Sequence, residues 1–138
     1  MSQNAIFWPM LAHVALVYAI YVLMFFRRRQ AVRHGSVKVS QFRENRDEPA
    51  ESLFVRNNLA NQFELPVLFH AGCLALFVTG WVGWAALAAA WVFAVSRWLH
   101  AYVHVTSNRL RYRQPAFTVG FVAVGFIWLL LAFGLLAG

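Results

Sequence analysis

Four long apolar runs, each closed by charged or turn-forming residues, organise this chain. The first, Ile6 to Phe26, holds 21 residues without a charge, enough to cross about 30 Å of hydrocarbon as a helix. Arg27, Arg28 and Arg29 stop it. The second has an uncharged core from Leu65 to Trp81 and a polar lead-in from Ser52 to Glu64. The third starts near Ala85 and is apolar to Val95. The fourth runs from Ala116 to Leu136 behind Pro115, a residue suited to the first turn of a helix. Gly80 and Gly83, with Trp81 and Trp84, mark a tight interfacial turn between the second and third runs. The pattern predicts helices at about 6–26, 52–80, 85–112 and 116–136, with a polar loop at about 27–51.

The third run does not end cleanly. Arg97, His100, His104, Asn108 and Arg111 continue it, and on an unbroken helix they would share roughly 80° of arc at about 100° per residue. Polar groups where a membrane helix leaves the bilayer are costly, and they face a bundle interior, an interface or a site. The lead-in to the second run carries a matching cluster. Asn57, Asn61 and Glu64 fall within about 60° of one another on a helix. Pro66 removes a backbone hydrogen bond beside Glu64, so a kink or loosened turn is expected there. Glu64 needs a partner at that depth, and the cations of the third helix are the obvious choice.

Composition agrees with the pattern. Of 138 residues, 61% are hydrophobic, above the usual share for a soluble domain. The reading is an all-α integral membrane protein, a single domain over residues 1–138 built as a four-transmembrane-helix bundle. The first run lacks a basic flank and a small-residue cleavage site, so it reads as a retained span rather than a signal peptide. The twelve Lys and Arg fall in two places, eight from Arg27 to Arg56 and four from Arg97 to Arg113. With four spans both regions lie on one side, and the positive-inside rule makes that side cytoplasmic. Both termini then face the periplasm or lumen. The net charge of +7 reflects this topology and contact with phospholipid head groups, not nucleic-acid binding. The one cysteine, Cys73, excludes an internal disulfide and any multi-cysteine metal site. Cys73 reads as core packing, and His13 and His70 as hydrogen-bonded packing residues on apolar helices.

A basic first loop, a helix-two start ending in Asn-x-x-Glu-x-Pro and an Arg-x-x-His stripe on helix three resemble the MAPEG family, membrane-associated proteins in eicosanoid and glutathione metabolism. The matching stretches are RNNLANQFELPVLF at 56–69 and SRWLHAYVHVTSNRLRYR at 96–113. The resemblance implies a homotrimer with glutathione as cosubstrate, bound between adjacent protomers. By position, Arg56, Asn61 and Glu64 resemble the helix-two group that holds the tripeptide, with Asn57, Asn58 and Gln62 as alternative ligands. Arg97, His100 and His104 match the helix-three pattern, His104 standing where the family usually has Tyr. Arg111 falls at the position of the thiol-activating arginine of leukotriene-forming members, and Arg113 near the one used by prostaglandin-forming members. Arg28 or Arg29 would supply a cation to a neighbour. The spacing from Glu64 to Pro66 is one residue shorter than in leukotriene-forming members, which marks a divergent, bacterial-type protein of the inner membrane.

The residue inventory suits glutathione group by group. Arg56, Arg97 and Arg111 offer bidentate partners for two carboxylates. Glu64 offers one for the ammonium, and Asn57, Asn61 and Asn108 for the amides. A thiol with a pKa near roughly 8.5 is mostly protonated at neutral pH. Lowering it by about two units needs roughly 2.7 kcal/mol of preference for the anion. Arg111 or Arg113 is the expected source. The thiolate would attack a lipophilic small molecule arriving through the bilayer, as a transferase and also as a peroxidase. Two other classes compete. A non-catalytic scaffold or lipid-binding protein would keep the fold without the reaction. A metal or haem protein would use His100 and His104, at i and i+4, with His70, but Arg97 and Arg111 are poor neighbours for a metal cation.

Overall fold

The structure is a computed structural model that describes residues 2–44 and 47–137. Positions 45 and 46 of the expected loop, Arg46 of the basic count among them, lie outside the described residues. The chain is all-helical. A 3-10 turn at Gln3–Ile6 leads into α1 (Phe7–Arg33), followed by α2 (Val39–Glu44), α3 (Ala50–Asn61), α4 (Leu65–Val78), α5 (Trp84–Val105) and α6 (Leu110–Ala137). Four stretches among the described residues are long and apolar enough to cross a membrane: Gln3–Arg33, Ala50–Val78, Trp84–Val105 and Leu110–Ala137.

Each expected boundary moves for a local reason. Helix α1 runs through the arginines to Arg33, because nothing breaks it before Gly35, whose φ of +74° suits glycine. Part of the expected loop is therefore helix, and α2 occupies more of it. The second span is two helices, loosened beside Glu64 where the sequence leads one to expect it. It breaks over Gln62–Glu64, just ahead of Pro66 in the first turn of α4. The third span stops at Val105, short of 112. Thr106 turns its hydroxyl back to the Tyr102 carbonyl at 2.6 Å, and the Asn108 N–H closes on the Val103 carbonyl at 2.7 Å. Asn108 adopts φ +48°, a left-handed conformation that asparagine tolerates. Helix α6 starts at Leu110, so Pro115 lies inside it rather than at its start.

Two apolar cores hold the bundle. The larger joins α4, α5 and α6 through Phe69, Cys73, Leu76, Ala90, Phe93 and Ile127, with Phe69 and Phe93 stacked at 4.1 Å between centroids. The smaller fixes α1 to α3 and α5 through Leu16, Ile20, Val55 and Ala101. Small residues let the helices approach: a Cβ on Gly120 would stand 2.6 Å from the Ser96 hydroxyl. At the other end, Gln3 pairs with the Val82 backbone through both amide atoms at 3.1 Å. The outer surface is covered by exposed Trp8, Tyr18, Phe25, Trp84, Phe133 and Leu136, as a protein immersed in lipid requires.

Candidate functional site

The break in the second span creates the polar site. Helix α3 ends at Asn61, and its last carbonyls have no partner within the helix. The Gln62 and Phe63 N–H groups close on the Leu59 and Ala60 carbonyls at 3.0 and 2.9 Å, and at membrane depth the Asn58 and Asn61 carbonyls are left to side chains. Arg97, fully buried on α5, answers: its Nη2 donates to the Asn61 carbonyl at 3.1 Å and to Gln62 Oε1 at 3.4 Å. A cation against a helix C-terminus is favourable in sign. Arg97 is nevertheless under-partnered, because its Nε and Nη1 are buried without a hydrogen bond among the described residues. The same is true of His100 Nδ1, one turn further along α5.

A chain of hydrogen bonds spreads from this point. His13 Nε2 lies 3.2 Å from Gln62 Oε1, and His13 Nδ1 lies 3.0 Å from His70 Nε2. Gln62 Nε2 donates to the Asn58 carbonyl at 3.0 Å and to Asn58 Oδ1 at 3.1 Å. Asn58 Nδ2 in turn lies 3.2 Å from His104 Nδ1, with Asn61 Nδ2 at 3.5 Å from the same nitrogen. His100 and His104 stand ring to ring at 5.6 Å. Helices α1, α3, α4 and α5 thus meet in one buried polar layer.

The expected single stripe on the third helix is corrected here. Arg97, His100 and His104 do share a buried face, but the turn at 106–109 removes Asn108 and Arg111 from it. Arg111 is exposed on the first turn of α6, and Arg113, half-buried, donates to Asn108 Oδ1 at 2.5 Å. The expected face of Asn57, Asn61 and Glu64 is corrected too. Asn57 and Glu64 are exposed, Asn61 is half-buried, and the inward groups are Asn58 and Gln62. Ser52, Val55, Asn58 and Gln62 recur every three or four residues, the period that would have identified the inner face. Glu64 makes no ion pair among the described residues and is only within electrostatic reach of Arg97. His13 and His70, expected as hydrogen-bonded packing residues, are so placed. They are bonded to each other, a pairing between separate helices that no sequence spacing encodes.

The basic rim lies outside this layer. Glu48 takes a two-point contact from Arg28, at 2.9 Å from Nε and 2.7 Å from Nη2. It also accepts from Ser52 Oγ at 2.5 Å and lies 4.0 Å from Arg56 Nε. Burial alone would raise the Glu48 carboxyl; the bonds from Arg28 and Ser52 and the charges of Arg28 and Arg56 outweigh it and hold it below its ordinary value. Arg28 is thereby occupied, while Arg29 and Arg56 remain exposed. Among the described residues no three His, Cys, Asp or Glu side chains gather closely enough to hold a metal, and His70 faces His13.

An all-helical, multi-pass integral membrane protein with a buried arginine–histidine layer beneath a basic rim is the class that fold and site define. The chain belongs to the MAPEG family, whose family model matches residues 5–133, nearly its whole length. At family level this supports a membrane, glutathione-related transferase or eicosanoid-type function. No curated protein and no solved structure matches the chain.

Proposed function

We propose that this protein is a membrane-embedded glutathione transferase for lipophilic electrophiles, working through an arginine-stabilised glutathione thiolate and also able to reduce hydroperoxides. The observation that carries the reading is the meeting of cations and an apolar slot at the start of α6. A groove of about 640 Å³ runs along α5 and α6, lined by Val95, Leu99, Val103, Tyr112, Pro115 and Val119. Tyr112 lines the groove and lies in sequence between Arg111 and Arg113, which do not line it themselves; the reading assigns the thiolate to those cations at the head of α6 and the apolar second substrate to the groove.

Arg111 is exposed and free to meet a ligand, and Pro115, lacking an N–H, leaves the Arg111 carbonyl without its helical partner. Exposed Arg29, Arg56 and Asn57 supply the rim for the carboxylates and peptide, and Glu64 the ammonium partner. Asn61, Asn108, His100 and His104 form its inner edge. Arg97 has no exposed surface, so it works from within, organising the α3–α5 junction. In transfer, the thiol proton leaves to solvent, the sulfur forms a bond to the electrophilic carbon, and the leaving group departs with its electron pair. In peroxide reduction, the thiolate sulfur takes the terminal oxygen as the O–O bond breaks, the alkoxide leaves with the electron pair and is protonated to the alcohol, and a second glutathione thiol attacks the sulfenic acid to close the disulfide and release water. The protein would act as a homotrimer in a bacterial inner membrane, with the basic regions cytoplasmic and both termini on the opposite side.

Rapid mixing of the detergent-purified protein with glutathione at neutral pH tests this. The expected result is a saturable rise in thiolate ultraviolet absorbance, abolished in the Arg111→Ala/Arg113→Ala variant. A double variant that still forms thiolate would sink the mechanism, and absence of glutathione binding would leave a scaffold or lipid-binding protein.

A further inference from the structure

The hydrogen bonds of the buried layer have a direction, and the direction can be read without assuming any proton position. Two groups in it have fixed roles. The Asn58 backbone carbonyl only accepts, and the Arg97 guanidinium only donates. Gln62 sits between them, 3.0 Å from the carbonyl and 3.4 Å from Arg97 Nη2. Its amide group must therefore face Asn58 and its oxygen Arg97. The opposite orientation would set donor against donor and acceptor against acceptor at once.

The rest follows in sequence. Gln62 Nε2 also meets the Asn58 side chain at 3.1 Å, so the Asn58 atom there is the oxygen. The amide nitrogen of Asn58 is then the atom 3.2 Å from His104 Nδ1, and it donates. Asn61 Nδ2 approaches the same ring nitrogen at 3.5 Å. His104 Nδ1 is an acceptor and carries no proton, so the proton of the imidazole is on Nε2. On the other side, Gln62 Oε1 accepts from His13 Nε2 as well as from Arg97.

We infer that His104 is locked as its Nε2–H tautomer by Asn58 and Gln62, and that this N–H is a donor for the anionic group of the bound tripeptide. His104 Nε2 makes no hydrogen bond among the described residues and, unlike His100 Nδ1, is not sealed from the surface. Arg113 is within electrostatic reach of the ring, so an anion drawn to that guanidinium would meet the N–H. Asn58 and Gln62 are thus positioning residues, which act through His104. The ligand half of the inference rests on the glutathione reading above; the tautomer half does not.

Nitrogen-15 NMR of histidine-labelled full-length protein in lipid separates the two. The signal of His104, assigned by its disappearance in His104→Gln, should show a protonated Nε2 and a bare Nδ1. A protonated Nδ1 in the unmodified protein would overturn the proposal outright. Asn58→Asp replaces the donor by an acceptor, so Nδ1 should become protonated and glutathione affinity should fall at least about ten-fold, the cost of one hydrogen bond to a charged group. A folded Asn58→Asp protein with an unchanged His104 signal would remove Asn58 from the role. If that variant does not fold, Gln62→Glu, which takes away the donor orienting Asn58, must produce the same change. A locked Nε2–H without glutathione binding would discard the ligand half alone.

Discussion

Arg97 is the residue on which two opposing effects meet. Burying a guanidinium without a carboxylate costs several kcal/mol even after relaxation, and two of its nitrogens have no partner among the described residues. Against that, its Nη2 serves the Asn61 carbonyl and Gln62 Oε1 inside the break of the second span. No water stands ready to replace that donor at membrane depth. The acceptors decide the balance: Arg97→Met is expected to lose about 1–3 kcal/mol, the penalty for leaving buried acceptors unpaired, read as a lower melting temperature in detergent. A higher melting temperature would mean that desolvation dominates and that Arg97 is retained for a ligand at a cost in stability. The spacing of Arg97, His100 and His104 on one helical face was legible in the sequence. The burial of Arg97 was not, because a charge is expected to snorkel unless a tertiary partner holds it.

At the level of elements, the joint between the end of α1 and the start of α3 is held chiefly by Glu48, with Glu51 adding a bond from Ser36 Oγ at 2.6 Å. Glu48 binds Arg28 at two points, accepts from Ser52 and lies near Arg56. Arg28 also lies over the Phe42 ring of α2 at 5.0 Å. The Glu48 carboxyl is held below its ordinary 4.5 in the folded protein. A lowered carboxylate stabilises the fold fully above its unfolded value, and that contribution fades as the pH falls below 4.5 and through the folded value. Glu48→Gln should therefore melt below the unmodified protein at pH 7, with the difference closing as the pH falls below 4.5 and through the lowered folded value. A gap that persists at the acid end would show that Glu48 acts by packing rather than charge. The existence of each helix could be read from apolar runs, but its ends could not. Pro115 within α6 departs from the helix-start position that sequence rules assign it, and Asn108 leaves the helical stripe for a left-handed turn that its side chain tolerates.

At the scale of the whole molecule, the asymmetry of charge makes a definite claim about orientation. The described cations from Arg27 to Arg56 and the four from Arg97 to Arg113 fall where chain order through four spans brings them to one side, and we propose from the positive-inside rule that this side is cytoplasmic. The chain offers a clean test because Cys73, its one cysteine, has no exposed surface. Ser2→Cys should react with a membrane-impermeant maleimide in intact cells, and Ser40→Cys only after the membrane is opened, both serines being exposed. Labelling in the reverse order would invert the topology and with it the side from which glutathione enters.

Hydropathy alone determined that the chain is a helical membrane protein with four spans, since only helices satisfy their own backbone in lipid and length sets how many fit. The same local logic put His100 and His104 on one face with Arg97, while the resemblance to the MAPEG family singled out Arg111 and Arg113. Tertiary structure alone decided that α3 stops at Asn61, that Asn58 and Gln62 rather than Asn57 and Glu64 turn inward, and that His13 reaches His70. Those facts depend on which helix supplies the missing donor at a broken end. That choice is made between residues dozens of positions apart, where no local period reaches.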